Sequence, residues 1–185
     1  MKEVIKNYIK EGSEARNSVD IEKLIHVGNE ISKRLLNGSV IFVMGNGGSA
    51  ADAQHFVAEL VGRFEKERKP VPAIALTTNT SILTAISNDY DYSEVFARQV
   101  KALAKKDDVV FGISTSGNSK NVIKGVEEAN KIGCFTVSLT GSGGALSRIS
   151  KESIMVNSQR TSIIQESHIM VIHILSKIIE DAVSD

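Results

Sequence analysis

The sequence predicts an α/β protein: a three-layer αβα sandwich around a parallel sheet of about five strands, preceded by N-terminal helices. Three observations carry this. Short β-branched apolar runs recur along the chain, reading SVIFVMG, VPAIAL, VVFGIS, CFTVSL and SIMVN. Each is followed by a turn and then by a helical stretch. The runs are largely continuous in apolar character, which suits strands buried on both faces of a parallel sheet with helices covering them.

Taken in order, residues 2–36 carry helical periodicity, with Val4, Ile5, Tyr8 and Ile9 before Gly12, then Ile21, Leu24, Ile25, Ile31, Leu35 and Leu36. Two helices are expected there. Asn37-Gly38 closes the second, since glycine accepts the backbone that ends a helix. Between the strands, helices are expected at 49–62, 92–105 and 118–132. Right-handed crossovers then place the C-terminal ends of the strands on one edge, where ligands dock in open α/β sheets.

The last helix runs from about Ser162 to Val183. Its apolar residues Ile163, Ile164, Ile169, Val171, Ile172, Ile174, Leu175, Ile178 and Ile179 circle nearly the whole circumference. With the N-terminal helices, this is more apolar surface than a small sheet covers, so self-association is expected. Glu65, Lys66, Glu67, Arg68 and Lys69 before Pro70 read most simply as a solvated loop, with a substrate lid as the alternative.

Composition narrows the function. The 185 residues suit a single domain, 1–185, with 22 Lys+Arg balancing 22 Asp+Glu. No basic field is left to collect nucleic acid or a membrane surface. Lone Cys134 has no intrachain disulfide partner, the N-terminus alternates charge with single apolar residues, and no run approaches the ~18 apolar residues of a membrane span. A reduced, cytoplasmic setting is expected.

Two turns fall at the predicted ligand edge: Gly45-Asn46-Gly47-Gly48-Ser49, and Ser114-Thr115-Ser116-Gly117-Asn118-Ser119. Each leads into a helix, whose unpaired N–H groups and dipole favour an anion. Four hydroxyls within six residues exceed what capping needs, and they grip a phosphate without positive charge. Neither turn matches a nucleotide fingerprint: there is no G-x-x-x-x-G-K-[ST], and Ala50 breaks G-x-G-x-x-G.

A second group is polar. His55 and Glu59 stand at i and i+4 on one helix, and Gln165, His168 and His173 are polar islands in the apolar last helix. Singly, each has a bland explanation as a surface pair or a satisfied core residue. As a set, His55, Glu59, Gln165 and His173 offer the ligand types a divalent transition metal takes, zinc first. Gln165 and His173 are eight residues apart, roughly 12 Å along a helix, so either the helix start is distorted or the site is shared between subunits. His168 lies about 140° around the helix from His173, so it serves the fold or supports the ligands from outside, and it is left out of the set.

Gly45-Asn46-Gly47-Gly48-Ser49, Asp52-Ala53-Gln54-His55, Asn88-Asp89, Ser114 through Ser119, and Ile164-Gln165-Glu166 through His173 together resemble the phosphoheptose isomerases of the sugar isomerase (SIS) fold. The resemblance covers nearly the whole chain. It implies conversion of D-sedoheptulose 7-phosphate to D-glycero-D-manno-heptose 7-phosphate in a homotetramer, with residues 1–37 used for oligomerisation and zinc bound between subunits. Asn46, Gly47, Gly48, Asn88, Asp89, Ser114, Thr115, Ser116 and Ser119 match positions that hold substrate, with Glu59 and Gln165 facing it. His55, Glu59, Gln165 and His173 match metal positions, and Glu59 and His173 also match the catalytic pair. Asp91 stands where many members have Gly, and Ser162-Ile163 replaces a segment that often carries a charge.

An aldose–ketose isomerase moves a proton between the carbons beside a carbonyl, through an enediol-like intermediate, and needs a base and an acid. On this resemblance Glu59 takes the carbon-bound proton and His173 serves the oxygen side; Glu59 as ligand competes with Glu59 as base. The alternative is a non-catalytic SIS sugar-phosphate sensor or replication-initiator-binding protein, in which the cradle persists without a working polar set.

Overall fold

The structure, a computed structural model, describes residues 1–184. Two helices open the chain, α1 (Lys2–Asn17) and α2 (Ile21–Leu36). The Asp20 carboxylate starts α2 by accepting from the Lys23 N–H at 2.9 Å, and Asn37-Gly38 follows its end as expected. α1 continues through Gly12, where a larger side chain would strike the Glu166 carboxylate. That carboxylate accepts from Arg16 at 3.0 Å, tying α1 to the last helix.

Five strands follow: β1 (Ile41–Met44), β2 (Ala73–Ala75), β3 (Val109–Ser114), β4 (Phe135–Thr140) and β5 (Glu152–Met155). All pairs are parallel, in the order β2-β1-β3-β4-β5. Every expected run is a strand. Between them lie α3 (Gly48–Val61), α4 (Thr80–Asp89), a 3-10 turn (Tyr92–Glu94), α5 (Val95–Leu103), α6 (Lys120–Ile132) and α7 (Ala145–Ile149); α8 (Thr161–Val183) ends the chain. The stretch expected as one helix over 92–105 is split in two, and Asp91 explains the split: its carboxylate accepts from the Ser93 N–H at 2.8 Å and caps the 3-10 turn. α4 went unexpected because none of its residues is buried, which leaves its apolar rhythm weak.

Alternate strand residues build two cores. Ile41, Val43, Phe111, Val137 and Leu139 face α2, α3 and α8, while Phe42, Met44 and Val110 face α5, α6 and Leu146 of α7. α8 is long and apolar enough to cross a membrane by length and composition, but half of that stretch is buried and it packs on α1, α2 and α3. Its burial is one-sided: Ile163, Val171, Ile172, Leu175 and Ile179 are inside, and Ile174 is exposed.

From β1 the chain turns to β2 on one side, and β3 lies on the other. The crevice between the C-terminal ends of β1 and β3 is therefore the switch point at which open α/β sheets bind ligands. Both turns singled out in the sequence flank it.

Candidate functional site

The second turn forms a tight hydroxyl cluster. Ser114, the last residue of β3, is buried, and its Oγ lies 2.9 Å from Ser119 Oγ and 3.5 Å from Ser116 Oγ. Ser116 Oγ accepts from the Asn118 N–H at 3.1 Å, and Asn118 Oδ1 accepts from the Ala145 N–H at 3.0 Å, which locks the turn to α7. Gly117 sits at φ 64°, and a Cβ there would fall on the Gly143 carbonyl oxygen, so only glycine fits. Ser119 caps α6 without bonding its backbone, and its hydroxyl turns to Ser114 instead. A cavity of about 350 Å³ opens beside Thr115 and Ser116, completed by Ser142, Gln159 and Thr161. Those three were not anticipated, although Gln159 and Thr161 stand at the entry to α8.

In the first turn Asn46 is held on three sides. Its amide exchanges 2.8 Å hydrogen bonds with Asn121, and its Oδ1 accepts from the Tyr92 hydroxyl at 3.0 Å. Gly47 caps α3 with no side-chain bond; the Ala50 and Ala51 N–H groups donate to its carbonyl at 3.0 and 3.2 Å, and those of Gly48 and Ser49 have no partner within the helix. Asn88 and Asp89 form an exposed corner at the end of α4, bonded to each other at 2.9 Å.

The polar group converges in part. Glu59 Oε1 lies 2.9 Å from His55 Nε2, and His55 Nε2 lies 3.4 Å from His173 Nε2, across 118 positions of sequence. One atom from each of His55, Glu59 and His173 falls within 4.8 Å of the others. The His173 ring meets His55 edge-on at 5.2 Å and stacks on Phe64 at 5.7 Å.

Gln165 is the exception. Its amide lies against Gly48 at the start of α3, two turns or roughly 10 Å from His55. Nor is the start of α8 distorted, since the Ile164 N–H already donates to the Arg160 carbonyl at 3.0 Å. The Gln165 amide thus packs on the start of α3, while His55, Glu59 and His173 meet further along it.

Whether the trio fits a metal can be judged from its donors. His55 Nε2 faces both Glu59 and His173, and one ring nitrogen cannot satisfy both as a neutral hydrogen-bonding group. A cation resolves the conflict by drawing all three lone pairs. Ligands ~2.1 Å from a tetrahedral ion stand about 3.4 Å apart, close to the separations found, and three protein ligands leave one position open. The donor set fits zinc.

Several neighbours escaped the sequence reading. Asp52, one turn before His55, has a buried Oδ2 with no partner, and burial pushes its carboxyl up to about 6 against the opposing pull of His55. Thr77 Oγ1, just beyond β2, is also buried without a partner. His168 is fully buried, which suits the role in the fold; neither ring nitrogen makes a hydrogen bond of good geometry, and burial pushes it down to about 4, with the Thr140 backbone pulling weakly the other way.

The charge run 65–69 corrects the simplest expectation. Arg68 and Glu180 bury their side chains to 1% and 0% exposure as an ion pair, so the segment is clamped rather than freely solvated. The run hid this because its other members do face water.

The chain matches the SIS domain family over residues 3–141. It is 59% identical over 177 residues to the probable phosphoheptose isomerase of Thermoplasma acidophilum, covering 95% of this chain and 97% of that one. It is 46% identical over 189 residues to the phosphoheptose isomerase of Aquifex aeolicus, covering 100% and 99%. Among solved structures, a phosphoheptose isomerase from Francisella tularensis superposes with a TM-score of 0.91 at 37% identity, covering 97% of this chain and 96% of that one.

Proposed function

The chain belongs to the SIS domain family and within it to the phosphoheptose isomerases, which makes it an aldose–ketose isomerase, and from that premise we propose how its own residues carry the reaction. The substrate is D-sedoheptulose 7-phosphate and the product D-glycero-D-manno-heptose 7-phosphate. The sensor alternative is not favoured, because the polar set is present and His55, Glu59 and His173 meet.

One observation carries the assignment: a carboxylate and an imidazole from distant segments, Glu59 and His173, meet at His55, in a chain that also carries an uncharged hydroxyl cradle. Ser114, Thr115, Ser116 and Ser119, with the backbone of Asn46, Gly47 and Gly48, hold the phosphate end. Remote binding of that group aligns the reacting carbons. Glu59 removes the carbon-bound proton, and His173 delivers or relays a proton at the sugar oxygen, each positioned group contributing ~10²–10⁴ in rate. Asn88 and Asp89 would make further polar contacts to the sugar.

His55, Glu59 and His173 would hold zinc, with Gln165 as the fourth expected ligand. When bound, the ion supplies Lewis-acid polarisation of the sugar's oxygens. A homotetramer built through residues 1–37 is part of the same reading, as is the one-domain organisation of 1–185. It is supported by the exposure of Val4, Ile5, Ile9, Ile21 and Ile25. A cytoplasmic setting is supported by the buried thiol of Cys134 and the balanced charge.

The test is direct. Purified protein is given sedoheptulose 7-phosphate and the mixture followed by NMR, with metal content and mass by light scattering read on the same sample. A heptose 7-phosphate product is expected; unchanged ketose in the zinc-loaded protein refutes the assignment, and a 20 kDa species refutes the tetramer.

A further inference from the structure

The buried pair between Arg68 and Glu180 stands outside the site just described, yet its contacts end on that site. Arg68 comes from the charged segment after α3, and its guanidinium donates to four carbonyl oxygens. Nη2 reaches Glu59 at 2.6 Å, and Nη1 reaches Leu60 at 2.7 Å, Gly62 at 3.1 Å and Lys69 at 3.1 Å. Those of Glu59, Leu60 and Gly62 lie in or just past the last turn of α3, where carbonyls have no partner within the helix. The guanidinium therefore closes the helix end that carries Glu59.

Glu180 acts from the other side. It lies seven residues after His173, two turns along α8 and on the same face. Its Oε1 accepts from the Phe64 N–H at 3.0 Å, and its Oε2 from the N–H groups of Glu65 and Lys66 at 2.8 and 2.9 Å. Arg68 Nε stands 3.6 Å from Glu180 Oε1, too far for a hydrogen bond, so the two join through charge. Held in this way, Phe64 lays its ring on His173 at 5.7 Å with 28° between planes.

These contacts close a loop from Glu59 through Arg68, Glu180 and Phe64 to His173. A buried ion pair is a poor source of stability compared with apolar residues of the same volume, because both charges lose their water. Its value lies in fixing geometry. We propose that Arg68, Glu180 and Phe64 are positioning residues of the isomerase, a clamp that sets the spacing and ring orientation of Glu59 and His173. This deepens the reading given above and rests on it.

The test compares wild type with Glu180→Gln, Phe64→Leu and Phe64→Tyr in the zinc-loaded protein, below the melting temperature of each. Glu180→Gln keeps the shape and loses the charge; Phe64→Leu leaves the buried pair intact and removes the stacking ring. Both are expected to lower kcat by about 10- to 100-fold, the scale of a small misplacement of reacting groups. KM should stay within about threefold, since the cradle is untouched. Phe64→Tyr should restore kcat. In histidine-labelled protein, the ring-proton resonances of His173 should lose the upfield displacement given by Phe64 in both Glu180→Gln and Phe64→Leu.

A kcat within about twofold of wild type in Phe64→Leu, or a loss carried by KM instead, overturns the proposal. If Glu180→Gln does not fold, Phe64→Leu and Phe64→Tyr decide alone. If wild type itself fails to turn over sedoheptulose 7-phosphate, the functional reading has failed, and the resonances still decide the clamp: an unchanged His173 signal in Glu180→Gln or, if that variant is unfolded, in Phe64→Leu overturns it.

Discussion

Replacing Glu59 with Gln tests the chemistry with little disturbance of the fold. The side chain is 22% exposed and its one recorded hydrogen bond is to His55 at 2.9 Å, which an amide oxygen can still accept. Stability should change by no more than about 0.5 kcal/mol, as for most substitutions away from the core. Basicity, in contrast, is lost outright. A positioned general base contributes ~10²–10⁴ in rate, which at ~1.36 kcal/mol per decade is about 3–5 kcal/mol of barrier.

The assay is the rate of heptose 7-phosphate formation by NMR, run with deuterium incorporation from solvent at the exchanged carbon. Glu59→Gln should lose both together, because both need the carbon-bound proton removed. Zinc content separates base from ligand: a base leaves zinc bound and kcat lost, whereas a ligand loses zinc and regains turnover when the ion is added in excess. A kcat within tenfold of wild type at unchanged zinc content would refute the assignment of Glu59 as base.

Three further outcomes follow from the same geometry. Ser119→Ala removes a hydroxyl 2.9 Å from Ser114 Oγ, and the loss of one hydrogen bond to a charged phosphate, ~1.5–3 kcal/mol, should raise KM by about 10- to 150-fold; a KM within twofold would remove Ser119 from the cradle. Gly117→Ala forces a Cβ into a φ of 64° and onto the Gly143 carbonyl, so a destabilisation of about 2–4 kcal/mol and a weakened phosphate grip are expected, read by urea titration and KM. His168, pushed down to about 4 by burial, stays neutral in the folded chain while the unfolded chain takes up a proton below 6.5. Folding stability should therefore fall as pH drops from 6.5 toward 4, by about 3 kcal/mol at full extent, and show no such cost above 6.5. Asp52, with its carboxyl pushed up to about 6, titrates across part of that range with the opposite sign. The quantity to measure is accordingly the difference between wild type and His168→Leu; parallel stability curves would contradict a neutral buried imidazole.

The architecture was legible because it rests on period and punctuation. Continuous apolar runs such as VVFGIS and CFTVSL fall on β3 and β4 within a residue, since burial on both faces leaves no other composition for them. The parallel order put their ends on one edge, and with it both ligand turns. α4 was not legible because none of its residues is fully buried and only Leu83 and Ile86 pack on the core, and the 92–105 stretch was read as one helix because the Asp91 cap is a local hydrogen bond that periodicity does not register. In the site, His55 and Glu59 were readable as a pair, because four residues on a helix is a fixed distance.

What the sequence settled by itself was the set of chemical types: hydroxyls and glycines for a phosphate, a carboxylate and imidazoles for proton transfer or a metal. Only the tertiary structure decided which of them meet. His173 reaches His55 across 118 positions, while Gln165, on the same helix, is carried to Gly48 instead. Arg68 and Glu180 looked like members of a solvated charge run and an apolar helix, and folding made them a buried pair. The reason is physical: spacing along one helix or strand is fixed by backbone geometry, but the distance between two elements is set by how their apolar faces pack, and no single segment contains that information.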